Sequence, residues 1–156
     1  MDAADLTIAM SFRFRFAPLL LAVPLLAACE QDRAAYMIDD NSDHALTLQR
    51  EVKYPWSDKA ELALVVARFP ECQRRHEMKP QPAASSKVSL YALGERSFAL
   101  QQGKNWYLAD TQTCTLQAAE PPAEGGSGKL IGAWQKRDGT YSFVPATAEP
   151  AGKPAG

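Results

Sequence analysis

Between residues 44 and 144 apolar and polar side chains alternate with a period close to two. From Ala45 to Tyr54, the side chains of Leu46, Leu48, Val52 and Tyr54 share one face and those of Thr47, Gln49, Glu51 and Lys53 the other. Successive side chains of a strand point to opposite sides, so this segment reads as a half-buried strand. Shorter repeats follow at Val88, Leu90 and Ala92; Phe98 and Leu100; Trp106 and Leu108; Cys114 and Leu116; Leu130 and Trp134; and Tyr141 and Phe143. Turn residues fill the gaps: Gly94-Glu95-Arg96, Gly103-Lys104 and Asp138-Gly139. The last pair suits a type I′ hairpin, whose two central residues need positive φ. The stretch ELALVVARF, residues 61–69, admits two readings. Leu62, Val65, Val66 and Phe69 match a helix face that Ser57 would cap, whereas Leu64-Val65-Val66 matches a strand buried on both faces. The strand is preferred, and Pro70 stops either element. Seven or eight short strands without a long helix predict an all-β fold, a small antiparallel sandwich or barrel.

The flanking segments lack this period. Residues 29–43 are polar and acidic, with Glu30, Asp32, Asp39, Asp40 and Asp43 against Arg33 alone, and read as an unstructured tether. EPPAEGGSG, residues 120–128, reads as a surface loop, and PATAEPAGKPAG, residues 145–156, as a disordered tail. The folded β domain is accordingly expected over 44–144.

Ahead of the acidic segment, Arg13 and Arg15 precede an apolar run from Phe16 to Leu26 that ends in Leu26-Ala27-Ala28-Cys29. A positive region, a short apolar region and a small-residue exit make the secretory pattern. Pro18 and Pro24 interrupt a run shorter than the roughly 20 apolar residues needed to span a bilayer. The final four residues resemble the lipobox of bacterial lipoproteins. That resemblance implies that residues 1–28 are a signal peptide and that Cys29, the first mature residue, carries palmitate-type acyl chains in a membrane leaflet. Glu30, rather than aspartate, directly after the cysteine implies export to the outer membrane, facing the periplasm. Asp2 and Asp5 put acidic charge where a signal peptide is positive, so translation is expected to begin at Met10.

The 128 residues from Cys29 onward suit one domain. Their charges nearly cancel, which argues against a nucleic-acid partner. With Cys29 committed to lipid, Cys72 and Cys114 remain, and an oxidising compartment makes a disulfide their simplest state. No Cys-x-x-Cys or four-thiolate spacing points to redox or zinc chemistry.

The densest polar chemistry is RFPECQRRHEMKP, residues 68–80. It reads as a basic loop in which Arg74, Arg75, His76 and Lys79, held beside a half-cystine, would bind an acidic protein or another anionic envelope component. The competing reading is a solvated loop. His44 and His76 are the only histidines, and no nucleophile elbow or glycine-rich phosphate loop is present, so the expectation is a non-catalytic protein without a cofactor. Asp39, Asn41 and Asp43 begin like a calcium loop, but His44 and Arg50 occupy the glycine and glutamate places. His76 and Met78 with Met37 make a weak copper set, and no metal is expected. Trp56, Trp106, Tyr107, Trp134, Tyr141 and Phe143 are enough aromatics to line a groove, although core packing and cross-strand cover account for them more simply. The leading expectation is an outer-membrane lipoprotein that binds a protein or envelope component through the basic loop. The alternative is a periplasmic inhibitor of a hydrolase such as lysozyme, similar to the small β-barrel lysozyme inhibitors in size, disulfide and anchor only.

Overall fold

The alternating segments pair into two antiparallel sheets. The computed structural model describes residues 30–123 and 128–147, so the signal peptide, the lipobox with Cys29, and the tail past residue 147 lie outside the described residues, as do residues 124–127 of the expected loop. One sheet has the order β1 (Glu30–Ile38), β2 (Asn41–Val52), β3 (Lys59–Arg68) and β4 (Cys72–Pro82). The other has the order β10 (Thr140–Pro145), β9 (Lys129–Arg137), β5 (Val88–Ala92), β6 (Ser97–Gln102), β7 (Asn105–Asp110) and β8 (Thr115–Ala119). The two form a sandwich rather than a closed barrel.

Leu46, Leu48, Leu62, Leu64 and Val66 of the four-stranded sheet and Val88, Leu90, Phe98, Leu100 and Trp134 of the six-stranded sheet make the core. Residues 61–68 resolve as a strand, with Phe69 in the following turn: Leu62, Leu64 and Val66 face inward, while Ala63 and Ala67 are buried on the other side. Tyr54, expected on the inner face with Leu46, lies past the end of β2 and is exposed. Asp138 (φ 52°) and Gly139 (φ 82°) form the expected β9–β10 hairpin turn. At Gly132 a Cβ would lie 2.4 Å from the Val144 carbonyl and 2.7 Å from the Phe143 ring, so only glycine lets β9 and β10 close over that ring.

Two of the ten strands among the described residues were not expected, and both correct the sequence reading. The segment read as an acidic tether is β1, joined to β2 by a second turn of two positive-φ residues, Asp39 (φ 56°) and Asp40 (φ 55°). Aspartate tolerates that conformation better than most non-glycine residues. The register sets Asp32 opposite Arg50, Ala34 opposite Leu48 and Tyr36 opposite Leu46, so the carboxylate meets a guanidinium where an apolar residue would stand. The segment read as a basic loop is β4, paired along β3 from Arg68↔Cys72 to Lys59↔Pro82, and only residues 69–71 connect the two strands.

Candidate functional site

β4 is a margin of its sheet, and its polar side chains are placed by strand alternation. Arg75 faces outward opposite Val65, whereas Arg74 and His76 fall on the opposite side, across from Val66 and Leu64. Arg75 donates through Nε to Gln49 Oε1 at 3.0 Å and pairs with the Glu77 carboxylate on its own strand. His76 Nε2 bonds the Cys114 carbonyl at 2.8 Å. Lys79 reaches the other sheet: its Nζ donates to Asn105 Oδ1 at 3.0 Å and its backbone N–H donates to the Tyr107 hydroxyl at 3.1 Å, while Gln102 Nε2 donates to its carbonyl. The four residues expected to act together are thus divided: Arg75 lies on the outer face, Arg74 at the margin, and His76 and Lys79 in the seam between sheets.

The Cys72–Cys114 disulfide closes the same seam, with Cα atoms 6.1 Å apart across a separation of 42 residues. Cys114 is not within a strand, as its alternation with Leu116 suggested. It is the last residue of the turn before β8, at φ 51°, and fully buried. Asp110 Oδ1 shapes that turn by accepting the N–H groups of Gln112 and Thr113 at 2.7 and 3.1 Å. His44 shares a 2.9 Å hydrogen bond with Thr111 Oγ1 beside it, and burial, then the nearby Arg68 charge, lowers its pKa below the ordinary histidine value. Both histidines therefore help hold the β4 seam. His76 and Met78 lie at the opposite margin of the four-stranded sheet from Met37, so the topology separates the residues of the copper set.

At the β1 margin an unforeseen cluster does the equivalent work. Arg50 takes the inward position between Leu48 and Val52 and is 3% exposed. It donates to Asp32 Oδ2 at 2.7 Å, Ser86 Oγ at 2.9 Å and the Ala83 carbonyl at 3.0 Å, which satisfies the guanidinium that burial strips of water. Glu30 lies 3.4 Å from the same guanidinium and is hydrogen-bonded by Lys136. The lysine contact is the main reason its carboxyl titrates below the ordinary range, with Arg50 adding to it against the effect of burial. Trp134 Nε1 donates to the Ala34 carbonyl of β1 at 2.9 Å, and the Tyr141 hydroxyl, its pKa raised by burial, donates to the Ser86 carbonyl at 3.1 Å. The sequence signal was the break at Arg50 in an otherwise apolar inner row.

The outer faces of the two sheets differ. That of the four-stranded sheet mixes a row of Met37, Ala45 and Ala67 with polar side chains paired to one another: Lys53 to Glu61 at 2.7 Å, Gln31 to Glu51 at 3.4 Å, and Arg75 as above. The six-stranded sheet instead carries an apolar row from β9 to β7, formed by the register Leu130↔Tyr91↔Ala99↔Leu108. Tyr91 packs diagonally on Trp106 with ring centroids 5.5 Å apart. Leu93, Ala99, Trp106, Leu108 and Pro122 line a cleft of about 160 Å³. Leu93, Leu108 and Leu130 stay 45–46% exposed, whereas Ala99 in the middle of the row is buried. Of the aromatics, Trp134, Tyr107 and Tyr141 are core, Trp106 faces this cleft and Trp56 is exposed in the β2–β3 turn.

No protein-family model, curated protein or solved structure matches the chain.

Proposed function

We propose that this protein is a non-catalytic lipoprotein of the periplasmic face of the outer membrane, held by acyl chains on Cys29, whose sandwich binds an envelope protein across the outer face of the six-stranded sheet. The order of the lipobox residues supports the anchor, and Glu30 in the following position supports the outer-membrane address. The observation that carries the binding face is the grouping of Leu93, Leu108 and Leu130, each nearly half exposed, around the Tyr91–Trp106 pair. Scattered exposed leucines need no explanation, but a contiguous apolar face is costly to leave in water and marks a surface that a partner covers. β4 is the weaker candidate for the contact. Of its four polar residues, His76 and Lys79 are engaged in the seam and Arg75 is paired with Glu77 and Gln49, so recruiting them for a partner would first break native bonds.

Mass spectrometry of the membrane-extracted protein should find diacylglycerol on a mature N-terminal Cys29; a soluble mature protein with an unmodified cysteine would overturn the anchor. For the binding face, a photo-crosslinking residue at Leu108 should yield an adduct with an envelope protein in intact cells, and one at Arg75 should not. An adduct at position 75 and none at 108 would return the contact to β4.

A further inference from the structure

The β2–β3 turn carries the most exposed aromatic residues of the described chain. Tyr54 and Trp56 are 55% and 80% exposed, and their rings stack on one another with centroids 5.4 Å apart and planes 9° from parallel. The turn that displays them is well ordered by its own bonds: Ser57 N–H to the Tyr54 carbonyl at 2.9 Å, the Ser57 hydroxyl to the Lys59 carbonyl at 2.9 Å, and Ala83 N–H to the Asp58 carbonyl at 2.8 Å. Two large rings held in water by a fixed turn contribute nothing to the core, so their use lies outside the domain.

We infer that this stacked pair inserts into the headgroup region of the membrane in which Cys29 is anchored. The inference rests on the lipoprotein reading and adds a second membrane contact to it. Its basis is position. Glu30, the first residue of β1, is the Cα partner of Val52, the last residue of β2. The turn with Tyr54 and Trp56 therefore leaves the sheet at the same end at which the chain arrives from Cys29, one peptide before Glu30. An acyl group on Cys29 brings the bilayer surface to that end. Tyrosine and tryptophan favour this interface because each has an apolar ring and a polar tip. Stacking adds preorganisation, since the rings lose little freedom on insertion.

The test uses the acylated protein purified from membranes and reconstituted into phosphatidylethanolamine–phosphatidylglycerol vesicles whose acyl chains carry bromine, which quenches nearby tryptophan. The wild type should show quenching that is lost in Trp56→Phe, while Trp106→Phe retains it; a near-ultraviolet dichroism spectrum confirms that each variant is folded. Diacylglycerol on Cys29 together with an unquenched Trp56 would overturn this inference and leave the lipoprotein reading standing. A Cys29 without diacylglycerol would overturn both.

Discussion

At the β4 margin the four-stranded sheet is held to its partner by a covalent bond, and at the β1 margin by charges and one indole. The disulfide between Cys72 and Cys114, with His76 bonded to the Cys114 carbonyl, closes one side at the start of β4, and toward the end of β4 the Lys79 N–H donates to Tyr107 while Gln102 donates to the Lys79 carbonyl. Arg50 with Asp32 and Glu30, Lys136 with Glu30, and Trp134 on the Ala34 carbonyl close the other. Each margin leaves unpaired strand groups that invite edge-to-edge association unless something covers them. The two solutions differ in where they act. A disulfide stabilises mainly by restricting the unfolded chain and responds to reductant, whereas the ionic margin exists only in the fold and responds to acid.

Removing the covalent closure should have the largest effect. Cys72→Ala with Cys114→Ala should lower unfolding free energy by about 4 kcal/mol in denaturant titrations, as expected for a cross-link closing a loop of this length. Reductant alone should reproduce the loss, and a wild type indifferent to reductant would place the strength of the fold at the other margin. Arg50→Ala comes next at about 3 kcal/mol, because it leaves Asp32 without its cation inside the seam. If Arg50→Ala proved neutral by the same titration, the cluster would be ornament and Trp134 the real closure. Trp134→Phe, which keeps a ring but loses the donor to Ala34, should cost about 1 kcal/mol.

Acid should separate the margins further. The Glu30 carboxyl titrates below its ordinary value of 4.5, so its contribution is complete above that pH and is lost as pH falls through the lower folded value. Lys136→Met should flatten the fall in melting temperature below pH 4.5. His44 runs in the same direction at higher pH: held neutral in the fold, it costs stability as pH falls below its ordinary 6.5, and His44→Gln should remove that slope. The smallest effect belongs to Arg74→Glu with Arg75→Glu, about 0.5 kcal/mol or less. A loss several times larger would show that these exposed arginines brace the β4 margin after all.

The same contrast explains what could be read from the chain. β2 and the strands of the larger sheet have apolar inner positions, and their alternation was plain, whereas β3, buried on both faces, admitted a helix beside the preferred strand; Asp138-Gly139 marked its own hairpin, and two cysteines in one small domain marked their bond. β1 and β4 hid because they are margins. Their inner positions meet the seam, so Glu30 and Asp32 in one strand and Arg74 and His76 in the other stand where alternation calls for apolar residues. A strand at a polar seam then looks like a tether or a basic loop. The apolar outer row on the larger sheet was hidden for the opposite reason: Tyr91, Leu108 and Leu130 look like core residues until the register places them on the water side.

Because β1 begins at Glu30, one residue after the proposed attachment point, the protein has no spacer to spend on distance. A flexible leash of a dozen residues would let a domain sweep a wide volume above its membrane. Here the farthest point of the sandwich is set by its own longest strand, 12 residues in β2, or about 40 Å at the usual rise per residue. On the proposed anchoring, whatever it binds must come down to the leaflet to be met, and a partner held farther out would be beyond its range however well the surfaces matched.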